Sequence, residues 1–334
     1  MPVLIREGDP NGNTWGIKFS TMFHMSNDSH LFHTREQLAA DDAALEGNSF
    51  VRGCDRWLPV YEAKMLHHYD HRWATYTGID TRDLSDAEKR NPDHLALPRY
   101  WVAEREVDQQ LPAWNRSWLV GFRDIARNTD ERTVIAGFFP RTAVGNKLPE
   151  LMFEADPEHI VGAVAALCSF VEDYAARQKV GGTTLNFFLV NQFPLPALEA
   201  FDRETLGFVV PRVLELTYTA TDLAGLAADL GYDGPPFRWE LDRRALIRAE
   251  LDATMFRLYG IERDDVDYIM DTFPIVCRRD VDRFGDYRTK RLILERYDAL
   301  VAADATGLSY GTPLDPPPGD PRAAHHTRQT ATVS

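Results

Sequence analysis

Cysteine is scarce in this 334-residue chain: Cys54, Cys168 and Cys277 are odd in number, far apart and never in a C-x-x-C pair. That excludes a disulfide framework and a cysteine zinc site, and leaves three reduced, mostly buried thiols as the expectation. Long apolar runs are missing as well. None approaches the roughly 18 to 20 residues needed to span a bilayer, and MPVLIREGDPNGN lacks the basic and then apolar pattern of a signal peptide. No membrane partner is expected, and cytoplasmic placement is the default. The chain also has no G-x-x-x-x-G-K-[ST], G-x-G-x-x-G, H-E-x-x-H or G-x-S-x-G motif, which weakens the usual enzyme readings. No catalytic, cofactor-binding or metal-ligating residue is therefore assigned.

What is present suffices for a sizeable core, since 44% of residues are hydrophobic and 26% charged. A net charge of −14 argues against nucleic-acid binding through bulk positive charge. The local distribution differs. From Asn115 to Lys147 six basic residues (Arg116, Arg123, Arg127, Arg132, Arg141, Lys147) face three acidic ones, and from Cys277 to Tyr297 seven basic residues face four. Residues 201–275 hold fifteen acidic and eight basic residues. A DNA-facing surface is compatible with the acidic average only if the basic segments meet in space.

Period and capping signals predict an α+β fold. Trp15 to Phe23 and Phe50 to Tyr61 read as short strands. Thr34 to Leu45 reads as a helix opened by Thr34 with Gln37 three residues on. Tyr61 to Tyr76 fits neither period. RYWV, SWLVGFRDI and RTVIAGFFP, at 99–102, 117–125 and 132–140, have the β-branched and aromatic texture of half-buried strands. Asp156 to Gln178 is expected as one helix with an Asp N-cap and Pro157 in its first turn, and Thr184 to Val190 as a strand after the Gly181-Gly182 turn. Helices follow over 201–235, 240–259, 264–272 and 287–302. The Pro-rich tail from about Thr306 reads as disordered. The expected organisation is a partial region at 1–98, a small mixed-sheet domain at 99–199, a helical support region at 200–304 and a tail at 305–334.

Chemistry-bearing groups are few. His67, His68, Asp70 and His71 in HHYDH, with His24, His30 and His33, invite a metal reading. Adjacent positions point different ways, so packing or polar contacts are the better account. Glu62 with Asp70, or Asp41 with Asp42, read as carboxylates on solvated faces. The strongest candidates are cationic and polar: Arg123, Arg127, Arg132, Thr133, Arg141, Lys147, Arg177, Lys179, Thr183, Thr184 and Asn186. Arginine forks match guanine edges and phosphates, and short hydroxyl or amide side chains beside a Gly-Gly turn add contacts. Solvated sheet edges and a plain β-turn account for the same residues.

Five strings carry a family likeness: LPVYEAKMLHHYDHRWATY, FRDIARNTDERTVIAGFFPRTAVGNKLP, ARQKVGGTTLNFFLVNQFPLP, YDGPPFRWELDRRALIRAELDATMFRLYGI and YRTKRLILERYDAL. They resemble the C-terminal half of large adenine-specific DNA methyltransferases of type IIG-like restriction-modification systems, with relatives in BREX and DISARM phage defence. The likeness covers about residues 1–302. It implies that residues 99–199 form a TaqI-like target recognition domain. It also implies that S-adenosylmethionine and the catalytic N-P-P-[YF] motif belong to a methyltransferase core that this chain lacks, its nearest approach being Asn91-Pro92-Asp93.

Under this likeness the chain is a truncated, split or fragmentary gene product. It would read double-stranded DNA while a methyltransferase or restriction partner flips and modifies the adenine. Residues 116–147 and 177–186 would contact base edges. Lys147, Lys179 and the basic C-terminal helix would contact phosphates. Two alternatives stand beside this: a methyltransferase with a degenerate site within residues 1–98, acting by itself or through a partner chain, and a protein-docking remnant that binds no DNA.

Overall fold

The computed structural model describes residues 1–326. In chain order the first elements are β1 (Lys18–Ser20), α1 (Arg35–Ala40), β2 (Ala44–Glu46), β3 (Ser49–Arg52), β4 (Asp55–Tyr61), β5 (Ala74–Thr77), β6 (Asp80–Asp83) and α2 (Asp86–Lys89). The middle of the chain supplies β7 (Trp101–Ala103), α3 (Glu104–Gln110), β8 (Trp118–Phe122), β9 (Ala136–Pro140), β10 (Ala143–Val144), β11 (Glu150–Met152), α4 (Pro157–Leu167), α5 (Phe170–Arg177) and α6 (Phe187–Asn191). The rest is helical: α7 (Arg203–Thr217), α8 (Ala224–Asp229), α9 (Leu241–Leu258), α10 (Arg263–Asp271), α11 (Pro274–Phe284) and α12 (Arg288–Thr306). The class is α+β, with small and mainly antiparallel sheets beside a helical body.

One sheet runs β1-β11-β8-β9, a second runs β10-β4-β3-β2 with β7 also on β4, and β5-β6 is a hairpin. The pair β8–β9 organises the molecule because both of its faces are buried. Trp118, Val120 and Phe122, with Ala136 and Phe138 opposite, face the core shared with α4, α7 and α9. Leu119 and Phe139 point the other way, into a core with Val60, Tyr61 and Val144, where Phe139 stacks on Tyr61 at 5.6 Å. Alternation along a strand thus feeds two cores, each buried aromatic or Leu contributing about 1.5–3 kcal/mol. Gly121 is required where the layers close, since a Cβ there would lie 2.9 Å from the Phe139 ring and from the Pro149 carbonyl.

Pairing crosses the expected boundaries. β1 joins β11, and β4 joins both β7 and β10. Leu4 and Ile5 donate to the carbonyls of Phe193 and Asn191, and buried Arg72 donates from Nη2 to the Thr219 carbonyl at 3.0 Å.

Several expectations differ in detail. The helix expected over 156–178 is two helices bent by 57°, because Ser169 leaves helical geometry and its side chain caps α5 by accepting from the Glu172 amide. The strand expected at 184–190 is the short helix α6, capped by Asn186; Thr184 makes one isolated bridge, to Ile125. Helix α11 was not foreseen at all. The segment 308–326, expected to be disordered, packs on the helical body: Tyr310 donates to Glu250 at 2.7 Å, Gly319 donates to Glu215, and Ala323 and Ala324 are buried beside Phe237. The last part of the expected tail, 327–334, lies outside the described residues. Of the three thiols expected to be mostly buried, Cys168 is, Cys277 is half-buried and Cys54 is exposed. Among the described residues no single helix is long and apolar enough to cross a membrane.

Glu150 of β11 is fully buried, and burial pushes its carboxyl up from 4.5 to about 7. The folded state therefore holds this proton more tightly than the unfolded chain does. Its contribution is fully present below pH 4.5 and is lost as pH rises to about 7, by roughly 3 kcal/mol. Urea midpoints measured against pH should show this fall in the parent and not in Glu150→Gln; two parallel curves would contradict it.

Candidate functional site

Three loops meet at one end of the central β11–β8 pair of the four-stranded sheet. The loop after β8 is held by the Asp124 amide on the Lys147 carbonyl, by the Ala126 amide on the Thr183 carbonyl and by the Leu185 amide on the Asp124 carbonyl. These bonds gather residues 123–130, 145–147 and 179–188. Gly181 and Gly182 are exposed with open space around their α-carbons, so the tip of the third loop is open while Val180 and Leu185 on either side of it are buried in the core.

The expected site residues divide between the surface and the interior. Arg127 is exposed, and its guanidinium makes no hydrogen bond or ion pair among the described residues. Lys179, Thr183, Thr184 and Asn186 are exposed on the third loop, although the Asn186 side chain is engaged in capping α6. Lys147 is half-exposed and donates to Asp124 at 2.9 Å. Arg141 stands apart, bound to Asp108 at 2.7 Å.

The remaining four turn inward. Arg123 donates from Nε to the Leu66 carbonyl at 2.8 Å, and burial pushes its guanidinium down to about 10. Thr133 is fully buried, with its hydroxyl donating to the Arg127 carbonyl. Arg132 and Arg177 both bind Asp173, a fully buried carboxylate on α5. Arg132 Nε reaches Oδ2 at 2.8 Å and Arg177 Nε reaches Oδ1 at 2.9 Å. Asp173 also accepts from the Thr133 and Val134 amides. Arg177 Nη2 donates onward to the Asp130 and Glu131 carbonyls. These two arginines fix the loop from inside and present no free donor fork to a ligand.

The basic C-terminal helix is similarly engaged. On α12, Arg288 pairs with Asp242, Lys290 with Asp267 and Asp271, and Arg291 with Asp286 and Glu295. The two basic segments do touch, through Arg279 of α11 on Glu131.

The HHYDH segment is interior. His67 stacks on Trp73 at 4.2 Å, His68 Nε2 lies 2.6 Å from the Val134 carbonyl, and His71 Nε2 lies 2.8 Å from Asp222. Burial, with nearby guanidinium groups second, holds His67 and His68 well below the usual imidazole range. Asp70, expected on a solvated face, is buried against Lys89 at 2.6 Å, because a buried ammonium stands opposite it. No group of three or more His, Cys, Asp or Glu residues suited to a metal ion occurs among the described residues.

Two features of the surface were missed in the sequence. Ile125 and Phe188 are large apolar residues left 57% and 61% exposed beside the basic loops, and so mark the patch as more than a solvated edge. Phe187 is partly covered by stacking on Phe19 at 4.6 Å. The adjacent pair Phe187-Phe188 close to the Gly181-Gly182 turn was the available signal. No family model matches the chain, and no curated protein matches it.

Asp173→Asn leaves Arg132 and Arg177 without their shared carboxylate. The expected cost is about 3–5 kcal/mol in urea unfolding, with faster tryptic cleavage after Arg127. An unchanged midpoint would show that the Asp173 cluster does not hold the loop.

Proposed function

We propose that this chain is a DNA target-recognition part of an adenine methyltransferase or restriction-modification system, working in the cytoplasm beside a partner that supplies S-adenosylmethionine and the catalytic core. The observation that carries this reading is the exposed loop cluster: Arg127, Lys147 and Lys179 as cations, Thr183, Thr184 and Asn186 as short polar groups, with Ile125 and Phe188 exposed on the same loops. The cations suit phosphates, and the apolar side chains suit thymine methyls or a base step. In this reading Arg123, Arg132, Thr133 and Arg177 shape the loop from within, and Arg141 lies outside the contact.

Fluorescence anisotropy of a labelled mixed-sequence duplex, with the chain alone and with a partner methyltransferase, should give salt-dependent binding. Changing Arg127, Lys147 and Lys179 together to Ala should lower the slope of log K against log salt by about 0.9 for each phosphate no longer neutralised, close to three in all. Absence of binding in both settings would overturn the proposal. The exposed Ile125 and Phe188 also favour the docking reading. Partner binding that survives the triple change, with DNA binding absent throughout, would assign the surface to protein instead.

A further inference from the structure

A cavity of about 530 Å3 lies on the far side of the Arg132 loop, between the HHYDH segment, α5, α9 and the α11–α12 pair. It is of the size that holds small ligands. It does not depend on the DNA reading. Its wall on α9 carries Arg244 and Arg248, one turn apart, and neither has a carboxylate within ion-pairing distance among the described residues. Arg244 is satisfied otherwise: it donates to the Leu216 and Tyr69 carbonyls and lies over the Trp239 ring at 3.7 Å. Arg248 is not. Its Nη2 makes one long bond of 3.3 Å to the His68 carbonyl, and its Nε is buried with no hydrogen-bond partner.

A buried cationic donor without an acceptor is costly, and one set in the wall of a cavity is placed to take an anion as its acceptor. The acidic residues around the cavity are largely engaged. Asp70 is paired with Lys89, Glu131 with Arg279 and Asp242 with Arg288. Asp86 accepts from the Trp239 ring N–H, and Asp280 from the Thr289 amide. Asp83 is exposed. Asp252 accepts from the Phe170 amide, and burial pushes its carboxyl up to about 6, which weakens its claim on Arg248. Arg283, also lining the cavity, is exposed and makes no ion pair among the described residues.

We propose that this cavity binds a small phosphate-bearing molecule, with the Arg248 guanidinium as its principal donor and Arg283 as an outer contact. Trp73, Trp239 and Phe170 in its wall are already covered by cations, Lys89 over the two indoles and Arg132 over Phe170. Recognition therefore rests on charge-assisted hydrogen bonds to oxygen and not on stacking. A phosphate offers three oxygens to converging guanidinium groups, where a carboxylate offers two.

Calorimetric titration of the full chain with inorganic pyrophosphate tests this, with malonate as a carboxylate control. Saturable pyrophosphate binding is expected, weakened about 10- to 100-fold in Arg248→Gln, the range of a charge-assisted hydrogen bond. If Arg248→Gln does not fold, Arg283→Gln, on an exposed position, should still weaken binding about two- to fivefold, as an exposed ion pair does. No binding by the parent chain, equal affinity in the variants, or tighter binding of malonate overturns the proposal. So does displacement of pyrophosphate by duplex DNA in simple competition, which would make the cavity a DNA-phosphate contact. These outcomes are independent of whether the Arg127, Lys147 and Lys179 surface binds DNA.

Discussion

The buried carboxylate of Asp173 is the constraint from which the candidate site follows. A charge taken out of water costs several kcal/mol, and the structure offsets it with Arg132, Arg177 and the amides of Thr133 and Val134. Because those donors come from the loop before β9 and from the end of α5, one carboxylate ties the loop to the helical body. Arg177 then carries the tie to the Asp130 and Glu131 carbonyls, and Arg279 extends it from Glu131 to α11. The loop that displays Arg127 is tied at its root by these bonds.

The two-faced pair β8–β9 makes this arrangement possible. With hydrophobic cores on both sides, the sheet leaves its polar chemistry to loops at its ends, where connecting segments surface. One end carries the exposed cations and the uncovered Ile125 and Phe188. On the other side of the same loop lies the cavity with Arg248. Arg132 separates the two, binding Asp173 while also lining the cavity. The chain's acidic average is compatible with both features because most of its arginines are matched locally by carboxylates.

Much of the fold was legible where short-range chemistry decides it. Thr34 with Gln37 formed the expected capping box, and Asp156 with Pro157 started α4 as expected. Ser169 with Glu172, an S-x-x-E start signal inside an apolar run, went unread, and two helices were expected as one. Helix α11 escaped because it buries only Val276 and its segment is short and rich in charge, although Pro274 and Gly285 bracket it. The tail composition suggested disorder, but a few contacts at Tyr310, Ala323 and Ala324 suffice to seat it. Charge counting along the chain could find the basic segments but not their partners. Asp173 lies 41 residues from Arg132, and nothing local marks Arg132 as interior while Arg127 stays exposed.

Amide hydrogen exchange of the full chain, with and without duplex DNA, tests most directly whether the loops at 123–130, 145–147 and 179–188 form one contact surface. Protection on DNA addition should concentrate in those three segments, with the interior strands β8 and β9 unchanged. Protection confined to the acidic helices of residues 201–275, or none in the three loops, would contradict it.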